Sequence, residues 1–162
     1  MVEEYERTGF FTLEDLRDAI PPEELMRTKQ LAMIECPQEI PCDACRQACL
    51  YEAVIKRTII EPPKVDFEKC TGCTLCARVC PGLAIFMVHI TRDGRGRLII
   101  PFELLPLPKA GETVQVLDRE GKPLGDAKVL RVLDPEKNEK TAMITLEVGK
   151  DLVLKARGIR VL

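Results

Sequence analysis

Eight cysteines fall within residues 36–80 of this 162-residue chain, and the remainder has none. They form two runs, Cys36-x5-Cys42-x2-Cys45-x3-Cys49 and Cys70-x2-Cys73-x2-Cys76-x3-Cys80-Pro81. Thiols this dense either cross-link or bind metal, and the compartment decides which. The start, MVEEYERTGF, is acidic and has no apolar leader core, which sets the expectation of a cytoplasmic, reducing location. There the cysteines are expected to hold metal or carry out redox chemistry rather than pair as disulfides.

The two runs are copies. CDACRQACLYEAVI from Cys42 aligns with CTLCARVCPGLAIF from Cys73 at an offset of 31, so that Cys42, Cys45, Cys49 and Ala53 fall on Cys73, Cys76, Cys80 and Ala84. The outer cysteines, Cys36 and Cys70, break the register, which reads as a longer loop in the first copy. A duplicated unit of this content implies two equivalent metal sites related by a pseudo-twofold axis. Two four-cysteine zinc sites in a structural interaction or nucleic-acid module are the competing reading. Zinc sites, however, usually draw on two separated cysteine pairs, whereas each run here offers four cysteines within 11 to 14 residues.

The second run resembles the ligand run of bacterial two-cluster ferredoxins, down to the proline after its last cysteine. The resemblance covers residues 36–85 and implies two [4Fe–4S] clusters, two short antiparallel hairpins, two helices and one-electron transfer. It also implies crossed ligation. Cys36, Cys42, Cys45 and Cys80 would hold one cluster, and Cys70, Cys73, Cys76 and Cys49 the other. Two-residue spacers let one tight loop wrap three corners of a cube, while the fourth cysteine starts a helix leading away and reaches the neighbouring cube. Gly72 supplies a permissive backbone beside inorganic sulfide, and loop N–H groups are expected to point at the sulfurs. Leu50 follows Cys49 where the pattern has proline, a departure that removes no ligand.

With the flanks included, the chain reads as an α+β protein in three parts: an N-terminal helical docking segment (1–35), a two-cluster ferredoxin-like domain (36–90) and a small antiparallel β domain (91–162). Thr12 is expected to cap a helix over residues 13–20, with Asp15 closing a capping box. Pro21 and Pro22 end it, and Pro22-Glu23-Glu24 opens a second helix whose buried side draws on Leu25, Met26, Leu31, Ala32 and Ile34. Beyond residue 90, LIIPFELLPL, ETVQVLD, AKVLRVLD, AMITLEVG and GIRVL alternate with turn signals at 92–94, 120–123 and 134–138. This is the pattern of a small antiparallel sheet or partly closed barrel. Pro101, Pro106 and Pro108 are expected to confine the first run to an edge or an irregular path.

Charge excludes some partners. The three parts carry −5, 0 and +3, and none forms the polybasic stripe that nucleic-acid binding needs. No stretch reaches the roughly 18 uncharged apolar residues of a membrane span. His89 reads as a surface or interface histidine, Phe86 and Met87 as core, and Arg92, Arg95 and Arg97 as a solvated hairpin tip. There is no Gly-x-Gly-x-x-Gly opening a helix, and no catalytic nucleophile set can be assembled from committed cysteines and a single histidine. A catalytic residue is therefore not expected in this chain.

A narrower resemblance rests on ECPQEIPCDAC at residues 35–45, the leading helices and the β-rich tail with GDAKVLRVLD. These are similar to the small iron–sulfur subunits of multi-subunit flavin dehydrogenases that oxidise proline, hydroxyproline or sarcosine-like secondary amines. The resemblance implies a hetero-oligomer in which this chain relays electrons from a flavoprotein subunit to a further electron carrier. Free ferredoxins are commonly acidic, which steers them to basic docking sites; a neutral cluster segment with long flanks fits a subunit better. A stand-alone or differently partnered ferredoxin is the alternative.

Overall fold

Short helices and long stretches of strand make up the computed structural model, which describes residues 4–133, 136 and 141–161. The helices are α1 (Glu4–Thr8), α2 (Glu23–Thr28), α3 (Ala44–Gln47) and α4 (Leu75–Arg78). The strands are β1 (Leu31–Ile34), β2 (Val54–Ile55), β3 (Lys64–Val65), β4 (Ile85–Ile90), β5 (Gly96–Phe102), β6 (Thr113–Leu117), β7 (Pro123–Leu133), β8 (Ala142–Val148) and β9 (Gly158–Val161). The class is mixed, with strands predominating.

The N-terminal segment is less helical than its sequence suggests. Thr12 and Asp15 do close the expected capping box: Asp15 Oδ2 accepts from Thr12 N–H at 2.7 Å, and Thr12 Oγ1 accepts from Asp15 N–H at 3.2 Å. The turn does not propagate, and only a 3-10 turn at Arg17–Ala19 follows. Leu16 alone is buried over residues 13–20, so no apolar face rewards extending so short a helix. The second helix opens at Glu23 as expected but ends at Thr28. Leu31, Ala32 and Ile34, expected on its buried side, instead belong to β1, which is buried along its whole length. A four-residue run buried on both faces has no periodicity to read, so its pairing with β4 decides its state.

Residues 31–90 fold as two interlocked copies of one unit. β1 pairs with β4 in the register Met33↔Phe86 and Ile34↔Ile85. A shift of 31 positions carries these pairs onto Lys64↔Ile55 and Val65↔Val54, which join β3 to β2. The same shift relates α3 to α4. It also relates the bond from Glu35 N–H to Ala84 O with that from Asp66 N–H to Ala53 O, both 2.8 Å, and left-handed Glu52 (φ 50°) with Leu83 (φ 51°). Each hairpin thus joins the strand before one cysteine run to the strand after the other. Cys42 lies eight positions after Ile34 and Cys73 eight after Val65, so the two loops are equal in length. The expectation of a longer first loop is corrected: Cys36 sits three positions earlier within a loop of the same size.

β4 carries this unit into a single antiparallel sheet ordered β1-β4-β5-β8-β7-β6-β9 among the described residues. The sheet runs across the boundary expected at 90/91. Residues 92–94 and 120–123 turn the β4–β5 and β6–β7 hairpins, with Gly94 (φ 79°) and Gly121 (φ 80°) in the left-handed region that an L side chain resists. The third turn signal lies outside the described residues except for Glu136. β5 is interior rather than an edge, because it pairs with both β4 and β8; Pro101 is accommodated because the pairing with β4 stops at Ile99. Leu31, Met33, Val88, Leu98, Ile100 and Leu146 share one face of the sheet and are fully buried.

The sheet curls until its two ends meet through side chains. Glu35, next after β1, accepts from Arg119 Nε at 2.9 Å and Nη2 at 2.6 Å, and from Arg157 Nε. Arg157 precedes β9; its Nη2 also lies 3.1 Å from Met33 Sδ, and its guanidinium sits 4.8 Å over the Phe86 ring. Burial pulls the Arg157 pKa down to about 10, which still leaves it charged throughout the neutral range. Two guanidiniums therefore share one buried carboxylate. Removing the common partner of a buried ion pair costs about 3–5 kcal/mol, because it strands the remaining charge. Glu35→Gln is expected to lower the unfolding free energy by about 3–5 kcal/mol, read as a lower midpoint in urea. Glu4→Gln, which breaks only the exposed pair with Arg7, should leave the midpoint unchanged.

Candidate metal centre

Two cavities flank the interlocked hairpins. One is lined by Cys70, Cys73 and Cys76 of the second run together with Cys49 of the first. The other is lined by Cys36, Cys42 and Cys45 of the first run together with Cys80 of the second. The structure therefore brings all eight predicted site residues together as two sets of four, and each set takes one member from the opposite run. None is in a disulfide. The local fold explains the exchange. α3 and α4 carry Cys45 and Cys76 in their own cavities, and Cys49 and Cys80, just past the helix ends, serve the opposite one.

The hairpins provide apolar floors. The paired residues Ile34 and Ile85 line the Cys36 cavity, and Val54 and Val65, their twins under the 31-residue shift, line the Cys70 cavity with Ala32 and Met87. Ala53 N–H donates to Cys49 Sγ at 3.3 Å, a bond of the N–H···S kind anticipated for the loops. Gly72 has φ 68°, as its role requires, but the tightest constraint on it is packing. A Cβ there would stand 2.4 Å from Gln30 O, and Gln30 Nε2 donates to Gly72 O at 2.7 Å.

Four thiols around one cavity form the donor set of an iron–sulfur cube. Among the described residues no three His, Cys, Asp or Glu side chains are close enough to share a single ion; the sulfurs surround a space instead. Residues 63–86 match the family model described as a 4Fe-4S binding domain. The chain carries a 4Fe-4S binding domain. No solved structure matches the chain. The matched stretch of the 4Fe-4S domain covers the second run, while the first, with its displaced Cys36 and with Leu50 after Cys49, lies outside it. Among the described residues no helix is long and apolar enough to cross a membrane.

Electrostatics follow the same grouping within the 4Fe-4S domain. Burial pushes the Cys76 thiol up to about 12, followed in effect by Cys70, Cys73, Cys49 and Cys45. Burial and then Cys80 push Cys45 up to about 11 and move Cys36 in the same direction. Cys45 acts on Cys76, so the two quartets stand within electrostatic reach of one another. Lys56 opposes the rise at both Cys36 and Cys45.

Lys56 is a site residue that sequence reasoning missed. It lines the Cys36 cavity beside the cysteines, and its ammonium donates to Cys42 O and, at 3.0 Å, to Ile59 O. The signal was present in the repeat: the alignment of the two copies ends at Ile55 and Phe86, one position short of Lys56 and Met87. A second feature missed is a groove outside the Cys70 cavity, lined by Cys73, Arg78, Arg97, Ile99 and Arg131. Cys73 is the one exposed cysteine of the eight. Of the residues expected at a hairpin tip, Arg92 and Arg95 are there and exposed, and Arg95 pairs with Asp93 and Glu147. Arg97 is instead on β5, facing His89 across the ladder. His89 is half-buried, and burial followed by Arg97 holds its pKa below the usual imidazole value. Phe86 and Met87 are core, as expected.

Shared cavities make a prediction that single substitutions cannot. Cys73→Ser is expected to cost about half of the bound iron and to destabilise the fold, because a metal site of this size is part of the core. Cys80→Ser should do the same at the other cavity. Combining Cys80→Ser with Cys42→Ser should remove no more iron than either change alone, whereas Cys80→Ser with Cys73→Ser should remove nearly all. Iron per chain in anaerobically purified variants checks this, and the opposite ranking of the two double variants would refute the crossed sets.

Proposed function

We propose that the chain is an electron-transfer protein that relays single electrons through two [4Fe–4S] clusters, as a cytoplasmic subunit of a flavin-dependent dehydrogenase acting on a proline- or hydroxyproline-type amino acid. The observation that carries the reading is the division of eight cysteines into two cavities of four, each completed by a cysteine from the other run. When bound, a [4Fe–4S] cluster supplies reversible one-electron chemistry. The chain's own residues would do the rest. Eight thiolates bind, the Ile34–Ile85 and Val54–Val65 floors keep water out, and Ala53 N–H stabilises charge on Cys49 Sγ. Four cysteines completed across two runs support a cluster over zinc, whose sites usually draw on two separated cysteine pairs.

Two surfaces support a partnered subunit over a free carrier. At Cys73 the protein cover is thinnest, and the arginine-lined groove beside it leads out to solvent. Within the first cysteine run and between the two runs, Ile40, Leu50, Tyr51, Ile55, Ile59 and Ile60 are all exposed large apolar residues close together in the chain. Apolar residues gathered in this way mark an interaction surface more often than those scattered singly. In this reading the flavoprotein performs the substrate chemistry and this chain passes the electrons to a further carrier.

The deciding measurement is iron and acid-labile sulfide per chain, with an EPR spectrum after anaerobic dithionite reduction. About eight of each, with the signal of two interacting reduced clusters, is the expected result. Two zinc ions and no signal from protein kept anaerobic throughout would replace the electron-transfer reading with a structural one. Purification from the native source should bring a flavin-containing protein with the chain; recovery as a colourless or flavin-free monomer would count against the subunit assignment.

A further inference from the structure

The two cavities are close copies, so any charge that lines one and not the other separates their chemistry. The 31-residue shift carries Cys42, Cys45 and Cys80 onto Cys73, Cys76 and Cys49, and Ile34 and Ile85 onto Val65 and Val54; each member of these pairs lines its own cavity. It also carries Lys56 onto Met87, and both of these line their cavities too. One cavity therefore has an ammonium where the other has a thioether. Among the described residues a backbone N–H···S bond stands at the other site, Ala53 N–H to Cys49 Sγ at 3.3 Å, and it supplies a dipole rather than a full charge.

Lys56 is also outside any salt bridge among the described residues, although Asp43 feels its charge. Its ammonium is held by two neutral carbonyls, of Cys42 and Ile59. The other cations nearby are neutralised, Arg46 by Asp43 and Arg57 by Glu61. On the Met87 side, Arg78, Arg97 and Arg131 line the groove beyond Cys73 and not the cavity itself. Arg97 and Arg131 are exposed, where water and salt screen them, and Arg78, half-buried as Lys56 is, faces the groove rather than the cavity. A half-buried charge at the cavity wall acts through a lower effective dielectric and has the larger effect.

We propose that Lys56 sets the redox asymmetry of the chain: it raises the reduction potential at the Cys36/Cys42/Cys45/Cys80 site above that at the Cys49/Cys70/Cys73/Cys76 site. The inference rests on the two-cluster reading given above. Its physical basis is that reduction adds one negative charge, which an adjacent ammonium stabilises. An electron delivered by a one-electron donor, such as a reduced flavin, to the Cys73 side oxidises the donor by one electron. Passing inward, it reoxidises the Cys73 site and reduces the Lys56 site, and no proton is required. The same step in reverse is the uphill one. Lys56 thus gives a near-symmetric relay a direction, from the site with the exposed Cys73 toward the site that Lys56 lines.

The test is an EPR-monitored redox titration of the full chain, purified with its clusters under anaerobic conditions. Lys56→Gln keeps a hydrogen-bond donor and removes the charge. It is expected to lower the higher of the two midpoints enough to change the one-electron distribution between the sites about tenfold, roughly 59 mV for a one-electron couple. Lys56→Arg should restore the wild-type midpoint, which a purely structural role of the side chain would not require. Met87→Lys should raise the other midpoint and leave the first in place, so the two variants assign the two waves independently. Should Lys56→Gln fail to fold, Met87→Lys still tests whether charge at this position governs its site. Two midpoints that ignore both changes, or a Lys56→Gln shift confined to the lower one, would overturn the proposal. A wild-type chain with four irons and one midpoint would instead overturn the two-cluster reading beneath it.

Discussion

Strand β4 must satisfy four surroundings at once, and its register fixes the rest of the molecule. Its edges pair with β1 and β5. Ile85 and Met87 point to the cavity side, where each lines a different cysteine set. Phe86, Val88 and Ile90 point the other way, into the core of the curled sheet. Side chains alternate along a strand, so a slip of one residue would exchange the two groups completely. Phe86 and Val88 would then fill the space the cysteines surround, and Met87 would leave the floor beside Cys70. The cavities and the sheet core are therefore not separable parts joined by a linker.

The duplicated unit has been adapted differently in its two halves, and positions 35 and 66 show how. Each follows the first strand of its half and donates its backbone N–H to the matching alanine, Ala84 or Ala53. Asp66 spends its side chain locally, where its Oδ1 accepts from Glu68 and Lys69 N–H at 3.1 and 3.3 Å. Glu35, one methylene longer, reaches Arg119 and Arg157, more than eighty positions away in the chain. That single difference ties the first strand of the first half to the closing end of the sheet. It also places a strongly held residue directly before Cys36, so the displaced first cysteine starts from a fixed point.

The grouping of cysteines seen in the two cavities was legible through the resemblance of the second run to ferredoxin ligand runs, and the offset of 31 carried the pseudo-twofold with it. The five β runs beyond residue 90 were legible for a different reason: alternation between turn residues leaves few other states open. What failed was the reading of elements whose state depends on distant partners. Leu31, Ala32, Met33 and Ile34 become strand only because β4, more than fifty positions later, pairs with them. The Thr12–Asp15 box formed as read, yet no helix followed, because a cap can start a turn but cannot supply a face to bury. The Glu35–Arg119–Arg157 cluster left no local pattern at all, since three charged residues in an ordinary composition are silent until the sheet closes.

The C-terminal strands explain why a symmetric pair of hairpins presents an asymmetric surface. β5 pairs along the open edge of β4, and the closing end of the sheet lays Arg157 over Phe86, so Phe86 and Ile90 are nearly buried. Their twins under the 31-residue shift, Ile55 and Ile59, belong to the two-stranded β2–β3 sheet and the loop beyond it, which have no such neighbour, and they remain 48% and 58% exposed. The apolar character was kept in both halves although only one half is covered within the chain. Lys56 lies between these two isoleucines in the chain, directly after β2, and lines the Cys36 cavity. The uncovered hairpin therefore carries the exposed isoleucines and leads directly into Lys56, because β5 continues the other hairpin of the pair and leaves this one open.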